Sequence, residues 1–262
     1  AVVGLVIIVL FIVTILTTLA VDQITNYSFY NEYILKQDLS LRLAKPSLAH
    51  PFGCDEFGRD LLLRILWGTK LSFAIGVVAI ALSVIMGAPF GMIAAFYGGK
   101  TDNAIMRVMD VLLAVPYMLL AMAIVAALGT STFNLLLALA VSGIAKYARI
   151  ARAAVLTVKD SEFVEAARAV GASDGTILFQ YILPNALAPI LVQVSLGIGD
   201  SILAVAGLSY LGLGVQPPQP EWGAILTTAR TYMRDAWHIS VFPGLFLILA
   251  VIAFNLFGDG LR

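Results

Sequence analysis

The sequence predicts an all-α membrane protein with six transmembrane helices. Its 262 residues are 60% hydrophobic and only 12% charged, whereas soluble domains carry about 25% charged residues. The mean hydropathy is +0.95, and a soluble fold of this size has too little interior to bury so much apolar surface. Residues 1–20 also form an uninterrupted apolar run, which at about 1.5 Å per residue is long enough to cross a roughly 30 Å hydrocarbon core.

The composition also excludes several classes of function. The formal net charge is +0, which argues against nucleic acid as a partner. Cys54 is the only cysteine, so an internal disulfide and a thiolate metal cluster are both excluded. His50 and His238 are the only histidines, and two isolated histidines in predicted loops are more often solvent-facing than metal-binding. We therefore predict no metal site and no directly bound cofactor.

Apolar segments and breaks divide the chain into three parts. We predict a first transmembrane helix over 1–21, an extracytoplasmic segment with a short interfacial helix over 22–70, and a five-helix domain over 71–262. The first run is an anchor rather than a signal peptide, because no small-residue cleavage site leads into a soluble domain. The later spans are predicted over 71–96, 105–128, 133–158, 184–212 and 240–257, with a break at Pro116 in the third.

The most informative stretch is a polar segment over 159–184, which reads as two short helices. Asp160 or Ser161 is placed to cap the first helix by accepting from free backbone N–H groups. Gly171 is placed to end that helix, because glycine readily takes the left-handed conformation of a helix C-terminus. Ser173 is placed to cap the second helix, and Pro184 opens the next apolar block, where its missing N–H does least harm.

The first of these helices has a narrow apolar face. Its members fall at helical spacing, and they are Phe163, Ala166, Ala167 and Val170. Small side chains at the centre of an exposed amphipathic helix allow a partner's backbone to approach closely. The pattern predicts a docking element.

The spacing in this segment resembles the EAA loop of ABC-type import permeases. The matching residues are Glu165-Ala166-Ala167, Gly171 and Leu183-Pro184, and the one departure is Tyr181, where the family pattern has Ile. In that family the loop forms a coupling helix that sits in a groove of a cytoplasmic ATPase. The resemblance implies that the coupling residues are Glu165, Ala166, Ala167, Gly171, Phe163, Val170, Ser173, Asp174 and Pro184.

Two further stretches resemble the dipeptide, oligopeptide and nickel branch of these permeases. Residues 50–60 follow a His-Pro-x-Gly-Thr-Asp-x-x-Gly-Arg-Asp pattern, with Cys54 in place of Thr, and residues 255–262 resemble the branch's ending. The resemblance implies a type I ABC importer permease fold with both chain ends in the cytoplasm. Lysine and arginine counts do not decide the orientation, because eight fall on each predicted side.

The resemblance also implies partners and a location. The chain would pair with a second homologous permease, two cytoplasmic ABC ATPase subunits and an extracytoplasmic substrate-binding protein, in the cytoplasmic (inner) membrane of a bacterium or archaeon. ATP and Mg²⁺ would be used by the ATPase subunits. The cargo would be di- or oligopeptides, with nickel or another small solute as the alternative.

The chain itself is not predicted to be an enzyme. Gly98-Gly99-Lys100-Thr101 looks like the end of a phosphate-binding loop, but Ala94 stands where that loop needs its first glycine and no strand precedes it. Asp200 lies inside the fifth predicted span, and an ionisable residue at membrane depth is a candidate pathway residue. The equally weighted alternative is a carboxyl that bonds to a neighbouring helix or faces a wet cavity. An ion-gradient-driven transporter is less favoured, since it would need several such carboxylates.

Overall fold

The protein is described by a computed structural model that covers residues 1–261. Within that range the chain is almost entirely helical. The α-helices, in chain order, are α1 Val2–Ile24, α2 Leu61–Tyr97, α3 Gly99–Leu113, α4 Tyr117–Leu128, α5 Thr132–Leu156, α6 Glu162–Ala169, α7 Asp174–Thr176, α8 Leu183–Tyr210, α9 Trp222–Tyr232 and α10 His238–Leu261. A π-helical stretch over Ile177–Ile182 joins α7 to α8, so Asp174–Tyr210 forms one helix of 37 residues.

The helices confirm an all-α membrane protein. Five of them are long and apolar enough to cross a membrane by length and composition, and α3 with α4 makes a sixth candidate span. These two helices are bent by 79° at a short break. The break includes Pro116, as predicted, because a proline disfavours helix in the residue before it and supplies no N–H.

The most extensive helix pair in the bundle is α2 with α5. Gly87 and Gly91 lie where α2 meets α5, and a Cβ atom at Gly91 would lie 2.8 Å from the carbonyl carbon of Ala148. Ser83 adds a hydrogen bond, donating from its Oγ to the Ala140 carbonyl at 2.9 Å. Small residues let backbones approach in lipid, where no hydrophobic force drives one helix onto another.

The start of α2 differs from the prediction. A separate interfacial helix was expected up to residue 70, but one helix runs continuously from Leu61 to Tyr97. Its polar residues are paired with other parts of the chain rather than with the membrane surface. Arg64 donates to the Ile34 carbonyl at 3.0 Å, while Asp22 accepts from Trp67 and forms an ion pair with Lys70.

The segment between the last two spans contains a helix that its sequence pattern does not predict. Residues 215–240 read as a proline-rich outer loop, yet Trp222–Tyr232 forms α9, and Trp222 is fully buried. The Glu221 carboxylate caps α9 by accepting from the backbone N–H groups of Gly223 and Ala224 at 2.8 and 2.9 Å. His238, expected to face solvent, is also fully buried, with Nε2 3.2 Å from the Cys54 carbonyl.

Candidate functional site

The helix α6 follows α5 after a break of five residues and begins at Glu162, directly after the predicted capping positions Asp160 and Ser161. Its predicted cap is wrong in detail, because the Ser161 hydroxyl donates to the Val158 carbonyl at 2.7 Å instead of accepting from the helix. Glu162 and Glu165 lie in the first turn, where carboxylates interact favourably with the positive end of the helix dipole. Both carboxylates are exposed.

The end of α6 follows the prediction closely. Gly171 has φ +82°, the left-handed conformation that favours glycine, and nothing lies within 4 Å of the position where a Cβ would stand. Ser173 then caps α7 by accepting from the Thr176 N–H at 3.3 Å, and Asp174 is exposed in the first turn. Pro184 lies in the first turn of α8, but the π-helical stretch Ile177–Ile182 runs into α8 without a break, so its missing N–H falls inside the joined helix and not at a free helix start.

The apolar residues of α6 divide between two faces. Val164 and Ala167 are buried against the ends of the bundle, in a cluster that includes Ala95, Ala151 and Ile182. Phe163 is 43% exposed, Val170 is 83% exposed, and Ala166 is exposed between them. The prediction of one exposed apolar face was therefore wrong for Ala167, which packs against the bundle. The prediction also missed Val164, which lies on the buried side of the helix next to Ala167.

Two contacts of basic side chains join α6 and the chain just before it to the end of α2. The Arg168 guanidinium lies 5.5 Å from the centre of the Phe96 ring, and Lys159 Nζ donates to the Ala95 carbonyl at 3.2 Å. The buried cluster beneath α6 joins residues of α2, α5 and α8. The helix is thus mounted on the ends of three spans, with Phe163 and Val170 pointing away from the bundle.

A second site lies within the bundle. A cavity of about 720 Å³ is lined mainly by residues of α5 and α8, with two each from α3 and α4 and single contributions from α2, α9 and α10. Two charged side chains face it, Lys146 of α5 and Asp200 of α8. The Lys146 Nζ is 3.5 Å from Asp200 Oδ2. Asp200 therefore lies in a cavity wall, one of the two alternatives that its position in the sequence left open, and it has a cation beside it. Its pairing with Lys146 was not predicted.

Two other basic residues of α5 are paired more tightly. Arg149 donates to Asp110 at 2.5 Å, and Arg152 makes two bonds of 2.6 Å to Asp102. Both acidic partners belong to α3, so these pairs tie α3 to the end of α5 that carries α6. Lys146, Arg149 and Arg152 are spaced by three residues, and each pairs with an acidic residue from another helix.

The end of the bundle opposite α6 carries a dense polar cluster. Asp55 accepts from Arg59 at 2.7 Å and lies 3.3 Å from the Arg64 guanidinium. Burial, together with the neighbouring charge of Asp55, raises the pKa of Glu56 above its usual value. Burial likewise raises the pKa of the Cys54 thiol to about 11, so this thiol is protonated and unreactive at neutral pH. Among residues 1–261, no group of three or more His, Cys, Asp or Glu is arranged to hold a metal ion.

A bundle of apolar spans around a charged cavity, with an amphipathic helix mounted on the span ends, defines a membrane transport subunit. Comparison with known proteins makes the class specific. Residues 87–262 match the family described as the binding-protein-dependent transport system inner membrane component. The chain belongs to this family and is a multi-pass membrane protein, the permease component of an ABC importer.

Relatives extend over most of the chain. The dipeptide transport system permease protein DppC of Alkalihalophilus pseudofirmus is 43% identical over 262 residues, which is 100% of this chain and 84% of that protein. The glutathione transport system permease protein GsiD of Pectobacterium atrosepticum is 47% identical, covering 83% of this chain and 72% of the relative. The probable D,D-dipeptide transport system permease protein DdpC of Escherichia coli is 45% identical, covering 86% and 76%.

Solved structures with a similar fold are ABC transporters. The inward-facing MetNI methionine transporter matches with a TM-score of 0.63 at 18% identity, covering 76% of this chain and 95% of that chain. An amino acid ABC transporter matches with a TM-score of 0.57 at 18% identity, covering 76% and 91%. At this identity the likeness establishes the type I permease fold alone.

Proposed function

We propose that this chain is the permease subunit of an ATP-driven importer of short peptides, and that an ATPase drives it through α6. The observation that supports this proposal is the geometry of α6. Val164 and Ala167 pack the helix against three spans, while Phe163, Ala166 and Val170 remain exposed. An exposed aromatic and an exposed valine on a short helix with acidic residues in its first turn form a compact surface for a partner protein.

The coupling residues carry separate tasks in this proposal. Phe163, Ala166 and Val170 enter the partner's groove, and Glu165 forms the polar contact at its edge. Gly171 and Ser173 shape the turn after α6, Asp174 opens the helix that follows and Pro184 lies within it, while Ala167 anchors α6 to the bundle. An ion-gradient mechanism leaves this uncovered helix without a role.

The peptide cargo is inferred from the three relatives described above, which are named for dipeptide, glutathione and D,D-dipeptide transport. We infer that the working assembly contains a second related permease, two ABC ATPase subunits that use ATP and Mg²⁺, and an extracytoplasmic binding protein. It resides in the cytoplasmic membrane of a bacterium or archaeon, with α6 on the cytoplasmic side.

Copurification of the complex from detergent tests the docking role. Wild type and Glu165→Lys are coexpressed with the second permease and the ATPases, and recovery of the ATPases on this chain is measured. Glu32→Lys is the matched control, since it makes the same charge change on an exposed residue at the opposite end of the bundle. We expect Glu165→Lys alone to lose the ATPases; equal recovery in all three would refute docking through α6.

Uptake into proteoliposomes that contain the complete importer tests the cargo. We expect radiolabelled dialanine to accumulate only with internal ATP and external binding protein. Accumulation of Ni²⁺ without dialanine would overturn the peptide proposal and leave the permease assignment intact.

A further inference from the structure

The pair Lys146–Asp200 lies deep within the spans. Lys146 is at least 10 residues from either end of α5, and Asp200 is at least 10 residues from either end of α8, so each is at least about 15 Å from a helix end. Charged residues at this depth are costly and usually mark the route of a substrate or ion.

This pair differs in geometry from the other two pairs of α5. Its nitrogen–oxygen distance is 3.5 Å, against 2.5 and 2.6 Å for the pairs of Arg149 and Arg152. Its side chains are also open to the cavity, with Lys146 45% and Asp200 67% exposed. An ammonium group has three donors and a carboxylate has two accepting oxygens, so this loose pair retains bonding capacity for a ligand.

The rest of the cavity suits a short organic zwitterion. Its walls are mostly apolar and include Ile80, Leu112, Met118, Leu203, Leu226 and Leu247. The buried Ser142 hydroxyl also faces it and has no hydrogen-bond partner within the described part of the chain. Its volume, about 720 Å³, falls in the range of small-molecule sites, which are apolar with a few placed polar groups.

We propose that Asp200 and Lys146 bind the two charged ends of a short peptide on its way through the membrane. The Asp200 carboxylate accepts from the peptide's terminal ammonium group, and the Lys146 ammonium donates to its terminal carboxylate. The apolar walls receive side chains without strong selection. This inference rests on the proposed function, because it takes peptides as the cargo.

The same geometry disfavours a bare metal cation as the ligand. Lys146 places a positive charge beside the single carboxylate, and a divalent cation there would be repelled at short range. The termini of a peptide carry both signs, so each terminus meets an opposite charge. The flexible four-carbon stem of Lys146 lets its ammonium move away from Asp200 as a peptide is inserted.

Uptake of radiolabelled dialanine by the reconstituted importer tests this assignment. We expect Asp200→Asn and Lys146→Gln each to lower uptake at subsaturating dialanine about tenfold, the effect of losing one charge-assisted hydrogen bond. ATPase stimulation by the binding protein should persist, since neither residue touches α6. Asp110→Asn is the matched control, because it breaks the ion pair between Asp110 of α3 and Arg149 of α5. Both side chains are about half exposed and neither lines the cavity, and exposed ion pairs contribute little to stability.

Thiol labelling provides a second readout that a purely structural role would not change. Leu203 lines the cavity and is 55% exposed, and the native Cys54 is buried, so Leu203→Cys introduces a selectively accessible thiol. We expect dialanine with binding protein and ATP to slow its modification by a water-soluble methanethiosulfonate. That protection should be lost when Asp200→Asn is added.

The outcomes separate the two proposals. If the wild type fails to import dialanine, the proposed function itself is wrong. If the wild type imports dialanine and both single variants match it in uptake and protection, the peptide importer stands and the zwitterion site is refuted. If uptake falls in the variants while protection remains, the pair does not bind the peptide and the inference is again refuted.

Discussion

Replacing Gly91 by alanine should weaken the bundle at its largest helix interface. A Cβ atom at Gly91 would stand 2.8 Å from the Ala148 carbonyl carbon and 2.9 Å from the Arg152 backbone nitrogen, and it would come closer still to the Ala148 carbonyl oxygen. All three atoms are backbone, so α2 and α5 must separate to admit one methyl group. Overpacking of this kind costs about 1–3 kcal/mol.

The loss can be measured as thermal stability of the purified complex in detergent. Taking about 2 kcal/mol for the overpacking and roughly 2–4 °C per kcal/mol for a chain of this size, we expect the midpoint to fall by about 4–8 °C. The readout is the fraction of complex that stays monodisperse after heating.

Gly244→Ala is the matched control. Gly244 lies inside α10, and nothing stands within 4 Å of its Cβ position. Alanine stabilises a helix interior by about 0.5–1 kcal/mol relative to glycine, so this variant should equal or exceed the wild type. Equal midpoints for Gly91→Ala and Gly244→Ala would refute the reasoning that close backbone contact holds α2 to α5.

Two further predictions concern the end of the bundle opposite α6. Glu221→Ala should lower the free energy of unfolding by about 3 kcal/mol, because the fully buried carboxylate caps α9 and accepts from Ser72 Oγ at 3.1 Å. The thermal midpoint should drop clearly less for Glu221→Gln. Equal drops for the two variants would argue against the role of these hydrogen bonds. The raised pKa of Glu56 means that the folded state favours the protonated form of this side chain. The stability that protonated Glu56 contributes is therefore complete below the unfolded pKa of about 4.3, and it is lost as pH rises through the folded pKa. Glu56→Gln should therefore be more stable than wild type near pH 7 and gain less on acidification, as midpoints measured across pH would show; parallel curves would contradict it.

Much of the fold was predictable because a bilayer imposes simple demands on a sequence. Apolar runs of sufficient length located the spans, and Pro116 marked the break between α3 and α4. The end of α6 was also predictable, because Gly171 and Ser173 act through local backbone geometry that their own neighbours determine.

The errors arose where distant parts of the chain supply the partner groups. Lys70 looked like the polar end of an interfacial helix, but Asp22 neutralises it, so α2 continues without a break. Trp222 lies in the stretch that reads as an outer loop, but it is buried beside α2, with its indole N–H donating to the Ile65 carbonyl at 3.0 Å. Asp200 was recognised as a candidate, whereas its pairing with Lys146 depends on how α5 and α8 pack.

The continuous helix Asp174–Tyr210 joins the turn after α6 to the cavity in one piece. Asp200 lies 26 residues beyond Asp174, about 39 Å along the axis. A tilt of about 10° around the Asp174 end would carry the Asp200 backbone about 7 Å sideways over that length. In the mechanism that we propose, a small rotation beneath α6 is therefore magnified at the charged pair, without a hinge between the helix that meets the ATPase and the cavity that binds the peptide.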